Sequence, residues 1–150
     1  DNCPAGFAGV DISSVAGAGI GSVSGVTGLI GGGAGATYVA RIANIPNGVI
    51  EDCSFDVSTA SAGCLYAMDT NIAAPAANCH IRYNTGTIAG GSYCIQVGHE
   101  STDATGDDQL VVEVVGNNVS GTAGDEVVHG IFVGFQTGCE VTGNTLSYSV

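Results

Sequence analysis

The chain repeats itself near its end. "VVGNNVSGT" at residues 114–122 is echoed by "VTGNTLSYS" at residues 141–149, 27 positions further on. A phrase recurring at a fixed distance constrains the fold more tightly than composition does, because equivalent phrases must occupy equivalent places. Written as small or polar, Asn or Cys, polar, then aliphatic or aromatic, the phrase has four copies. They are Asp52-Cys53-Ser54-Phe55, Asn78-Cys79-His80-Ile81, Gly116-Asn117-Asn118-Val119 and Gly143-Asn144-Thr145-Leu146. An apolar-x-apolar pair precedes each one: Ala40/Ile42, Leu65/Ala67, Ile95/Val97 and Ile131/Val133. A further pair, Val10/Ile12, lies upstream and leads to the degenerate "VSGV" at 23–26. The pairs recur at intervals of 30, 25, 30 and 36 residues. The longest interval contains "GHESTDATGDDQL", 98–110, whose polar, turn-forming composition reads as an inserted loop.

Each interval holds short alternating segments and no sustained helical stripe. Gly supplies 25 of 150 residues, which disfavours long helices. Short strands returning in constant phase describe a β-solenoid, in which every coil buries its apolar column only against the next. The expected core columns are Val10/Ala40/Leu65/Ile95/Ile131 and Ile12/Ile42/Ala67/Val97/Val133. The repeated phrase then sits at a corner, where Gly or Asn takes the left-handed conformation. Asn117 above Asn144 would form a short side-chain ladder.

The phrases "IEDCSF", "AANCHIRYN", "VVGNNVSG" and "VTGNTLS" resemble the right-handed parallel β-helix superfamily of pectate lyases, polygalacturonases and phage tailspikes. The resemblance covers most of residues 38–150. It implies an all-β fold, a right-handed parallel β-helix of about five coils, in one domain spanning 1–150. Residues 1–9 would be an N-terminal extension and 10–150 the coils. That superfamily hosts lyases, hydrolases, adhesins and structural shafts, so function must come from individual residues.

Six cysteines in a chain rich in Ser, Thr, Asn and Gly point to an oxidising, extracellular setting on a cell or virion surface. The phrase alignment sets Cys53 level with Cys79 and Cys64 level with Cys94. Stacked strands are about 4.8 Å apart, within disulfide reach. Both pairs are disulfide candidates, with stacked free thiols as the alternative. Cys3 and Cys139 lie at opposite ends of the stack, so they are candidates for bonding between subunits. Asn118-Val119-Ser120 is a glycosylation sequon, making Asn118 the candidate acceptor.

Fourteen acidic residues stand against Arg41 and Arg82, giving a net charge of −12. That balance excludes nucleic acid as a partner, since phosphates call for Lys and Arg. Residues 12–40 carry no charge, but they are rich in Gly, Ser and Thr and match the coil period, so no membrane insertion is expected. Asp107 and Asp108, followed by His129-Gly130, resemble the paired carboxylates of polygalacturonases. The Asn-Thr-Asp stretch and the Arg-x-Lys clamp of that family are missing. Asp103, Asp107 and Asp108, with Glu100 nearby, are hard oxygen ligands suited to Ca²⁺, but no calcium-loop spacing accompanies them. Solvated acidic loops are the preferred reading, with no cofactor and no metal expected. The chain therefore reads as a structural, self-associating extracellular protein whose partner is itself, in a head-to-tail filament. A carbohydrate-binding tailspike or adhesin fragment with glycan partners is the alternative, and a polysaccharide-degrading hydrolase a third.

Overall fold

The computed structural model describes residues 10–13, 21–27, 29–30, 38–43, 47–57, 64–69, 79–88, 93–97, 112–122, 129–133 and 139–149. These residues are all-β, with no helix among them. Three parallel sheets take every third strand of the chain. Sheet A holds β1 (Val10–Ser13), β4 (Tyr38–Ala43), β7 (Cys64–Asp69), β10 (Tyr93–Val97) and β13 (His129–Val133). Sheet B holds β2 (Ser22–Ser24), β5 (Val49–Glu51), β8 (Cys79–Arg82), β11 (Val112–Val115) and β14 (Glu140–Thr142). Sheet C holds β3 (Leu29–Ile30), β6 (Ser54–Val57), β9 (Thr85–Ile88), β12 (Asn118–Thr122) and β15 (Thr145–Ser149). One pass of three strands thus contributes one strand to each sheet.

Alternation sets the faces. In β8 Cys79 and Ile81 are buried while His80 and Arg82 are partly exposed, and β11 repeats the pattern with Val112 and Val114 inside. Stacking in register makes columns. Val23, Ile50, Ile81, Val114 and Val141 follow one another in sheet B. Ala40 and Ile95 are buried in sheet A, and Val119 in sheet C. Burying each Val or Ile fully is worth about 1.5–3 kcal/mol. The core is therefore a sum of small aliphatic contacts between consecutive passes.

Sheet A follows the expected columns except in β7. Tyr66 and Met68, not Leu65 and Ala67, stand level with Ala40/Ile95 and Ile42/Val97. The third copy of the corner phrase is also different from expectation. Ile81 belongs to the sheet B column, and the residue level with Phe55, Val119 and Leu146 in sheet C is Gly86. The copy stands five residues further on, at Ile81-Arg82-Tyr83-Asn84, where Asn84 is level with Cys53. The inserted loop 98–110 and the extension 1–9 lie outside the described residues.

Candidate functional site

With the register corrected, the opening phrase is a tetrapeptide present in all five passes: Val23-Ser-Gly-Val26, Ile50-Glu-Asp-Cys53, Ile81-Arg-Tyr-Asn84, Val114-Val-Gly-Asn117 and Val141-Thr-Gly-Asn144. It turns the chain from sheet B into sheet C. The third residue is left-handed every time, with φ of 64° at Gly25, 52° at Asp52, 57° at Tyr83, 65° at Gly116 and 63° at Gly143. That geometry aims its N–H at the next pass. Gly25 donates to the Glu51 carbonyl, Asp52 to Arg82, Tyr83 to Val115 and Gly116 to Thr142, at 3.0–3.2 Å. Gly allows this freely, whereas a tyrosine there costs about 1–2 kcal/mol.

The fourth residue points inward and forms a continuous ladder. Asn84 Nδ2 donates to Asn117 Oδ1 at 2.9 Å, and Asn117 Nδ2 donates to Asn144 Oδ1 at 2.8 Å. Each amide also donates back to the preceding pass: Asn84 to the Ile50 carbonyl, Asn117 to Ile81 and Asn144 to Val114. Their oxygens accept from the backbone N–H of Cys53, Asn84 and Asn117 in turn. Asn84 and Asn117 are buried but paired on every side, so the cost of burying a polar group is offset. Cys53 takes the amide's place in the second pass, its thiol lying 3.6 Å from the Val23 carbonyl. The ladder expected between Asn117 and Asn144 is present, and it extends to Asn84 and Cys53.

The outward face of sheet B carries the charge. Arg82 Nε donates to Glu51 Oε2 at 2.8 Å, and His80 Nδ1 lies 2.9 Å from Glu113 Oε2. The Glu51 hydrogen bond raises the Arg82 pKa. Tyr83 stands at the rim, 54% exposed, its ring edge close over Gly116.

The candidate residues divide by position. Cys53 and Cys79 are both buried and do not share a register position. Cys53 stacks on Asn84, and Cys79 pairs with Val112. Their expected disulfide is therefore replaced by two separate thiols. Cys64 and Cys94 lie in neighbouring strands, but the pairing of Ile95 with Tyr66 puts them one residue out of step. Cys139 is a half-buried free thiol that donates to the Val112 carbonyl at 3.2 Å. Burial raises the pKa of Cys53, Cys79 and Cys139, which keeps them as thiols rather than nucleophilic thiolates. Asn118 opens β12 and is exposed. His129 opens β13 and pairs with Tyr93. Cys3, Glu100, Asp103, Asp107 and Asp108 lie outside the described residues. Among the described residues no group of three or more His, Cys, Asp or Glu side chains could hold a metal. No helix among them is long and apolar enough to cross a membrane.

The stack ends unevenly. Val23 in the first pass is 3% exposed, whereas Val141 in the last is 45% exposed. Every residue of β14 is exposed. Comparison with known proteins gives no match to any family model, any curated protein or any solved structure.

Proposed function

We propose that the chain is a single right-handed parallel β-helix of about five coils that works as a structural, self-associating extracellular protein. The observation supporting this is the exposure of Val141, whose counterparts Ile50, Ile81 and Val114 are fully buried in the same column. A second copy would complete the last coil with its residues 1–9, in a heterologous contact that repeats into a filament. That contact would also carry Cys3 of one copy toward Cys139 of the next. Electron microscopy of the purified protein should show fibres, and non-reducing electrophoresis a ladder that collapses with reductant. Deleting residues 1–9 should abolish both. A monomer at high concentration under oxidising conditions would overturn the proposal.

The exposed Tyr83 ring beside the Arg82–Glu51 pair favours a second reading, a carbohydrate-binding surface fragment, since an aromatic face and a charged hydrogen-bonding pair suit a sugar ring. Loss of glycan binding in Tyr83→Ala, with association intact, would select it.

A further inference from the structure

The corner from sheet B to sheet C is chemically uneven. At the second and third positions of its tetrapeptide, the first, fourth and fifth passes carry Ser24-Gly25, Val115-Gly116 and Thr142-Gly143. The second and third passes carry Glu51-Asp52 and Arg82-Tyr83 instead. Asp52 and Tyr83 hold the same left-handed backbone as the three glycines, with φ of 52° and 57°. A side chain in that conformation costs stability that glycine would spare. Both side chains stand exposed. Strain kept for an exposed side chain points to a task outside the core.

The four side chains form one cluster. Glu51 and Arg82 are level in neighbouring strands, and Arg82 Nε donates to Glu51 Oε2 at 2.8 Å. Asp52 and Tyr83 follow them in the chain, so they are level at the turn. Ser24 Oγ donates to the other Glu51 oxygen at 3.4 Å, which helps to hold that carboxylate. The Glu51 bond engages Nε of the guanidinium, whose terminal nitrogens carry further N–H donors. The Tyr83 ring leans over Gly116, where a Cβ would stand 2.8 Å from Cδ1. Glycine in the fourth pass thus makes room for the ring. Two consecutive passes together offer an acceptor-only carboxylate, a held guanidinium and an aromatic surface.

We propose that this corner binds a neutral hexose through a vicinal diol, an inference that rests on the carbohydrate-binding reading of the Tyr83 surface. Asp52 would accept from two adjacent hydroxyls, Arg82 would donate to the oxygens of the same diol, and the Tyr83 ring would cover a C–H face of the sugar. Charge decides the class of sugar. Glu51, Asp52 and Arg82 sum to one negative charge, and Glu113 also acts on Arg82 through space. An acidic sugar would meet these carboxylates, and a cationic one the guanidinium. A second copy of the chain would bring its own net charge of −12. A neutral polyol meets none of these penalties.

The test is calorimetric titration of the full chain with neutral oligosaccharides of glucose, galactose and mannose, and with oligogalacturonate as the acidic comparison. At least one neutral oligosaccharide should bind, and oligogalacturonate should not. Asp52→Gly and Tyr83→Gly install the residue that serves the other passes. Each should weaken binding by about tenfold or more. The urea midpoint of Asp52→Gly should stay at or above that of the wild type, since the variant relieves strain. Asp52→Asn repeats the test with a residue that also takes the left-handed conformation. Thr142→Ala, at the same corner in the fifth pass, should leave binding unchanged. Preference for oligogalacturonate would overturn this site and leave the carbohydrate reading standing. So would neutral binding that Tyr83→Gly abolishes and both Asp52 variants leave intact. Absence of binding to every oligosaccharide, or binding indifferent to all these variants, would overturn both. A fall in the urea midpoint of Asp52→Gly would show that the carboxylate holds the corner together, and would overturn the proposal as well.

Discussion

At the scale of single residues, the ladder concentrates stability in a few amides. Asn117 accepts from the backbone and side chain of Asn84 and donates to Ile81 and Asn144. Replacing it by Ala strands several buried partners, at about 1–3 kcal/mol each. Asn117→Ala should therefore lose about 3 kcal/mol or more in a urea titration. Cys53 is the converse case. Its thiol lies 3.6 Å from the Val23 carbonyl and 3.2 Å from the Glu51 carbonyl, and a thiol donates more weakly than the amide that fills this place in the later passes. Cys53→Asn should raise stability by about 1 kcal/mol in the same titration. The thiols also set a pH limit. Burial raises Cys53, Cys79 and Cys139 above the ordinary thiol value of 9.0. The unfolded chain then releases these protons first as pH rises, so it binds fewer protons than the folded chain. The contribution is fully present below pH 9.0, and it is lost as pH climbs from there through the raised folded values. Melting temperature should fall over that alkaline window, and less steeply in Cys79→Ala than in the wild type.

At the scale of elements, the corner between sheets B and C separates conformational strain from crowding. Gly143 and Gly116 have nearly the same φ, so an alanine at either meets the left-handed penalty of about 1–2 kcal/mol. At Gly143 the new Cβ would make ordinary contact with Gly116, whereas at Gly116 it would clash with Tyr83 Cδ1 at 2.8 Å. Gly116→Ala should cost about 1 kcal/mol more than Gly143→Ala, the order of an off-rotamer ring. In a Tyr83→Asn background the difference should vanish, as a double-mutant cycle of urea midpoints would show. The same corner explains what the sequence discloses. The "VGN" and "TGN" copies announce a left-handed turn through their glycines. "IEDC" and "IRYN" hide the identical turn behind Asp52 and Tyr83, residues seldom placed there, so their sequence does not announce it. The sheet A columns were legible at Val10, Ala40, Ile95 and Ile131 because apolar alternation repeats there without interruption. In β7, "CLYAMD" is apolar at consecutive positions, so alternation fixes no register there. The polar outward positions of sheet C leave no apolar signature, since Thr, Ser and Asn resemble ordinary loop residues until pairing aligns them.

At the scale of the molecule, the proposed self-association turns on how unevenly the sheet B column is buried. Val23 is nearly covered, and Val141 is not. Unlike ends favour a heterologous contact over a two-fold one, and a heterologous contact that does not close propagates. The column containing Val141 gives a test in which folding and assembly part company. Lysine at Ile81 would enter a fully buried site with no charge to meet it, and should unfold the chain. Lysine at Val141 would stand in solvent in the free chain, so its cost to folding should stay within about 0.5 kcal/mol of zero. In the assembled state the same ammonium would be buried against the next copy. Val141→Lys should therefore keep the wild-type melting curve while sedimentation velocity shows the wild type in large species and the variant as a monomer. If Val141→Lys assembles as the wild type does, the open end is not the docking surface, and the proposed filament contact is wrong.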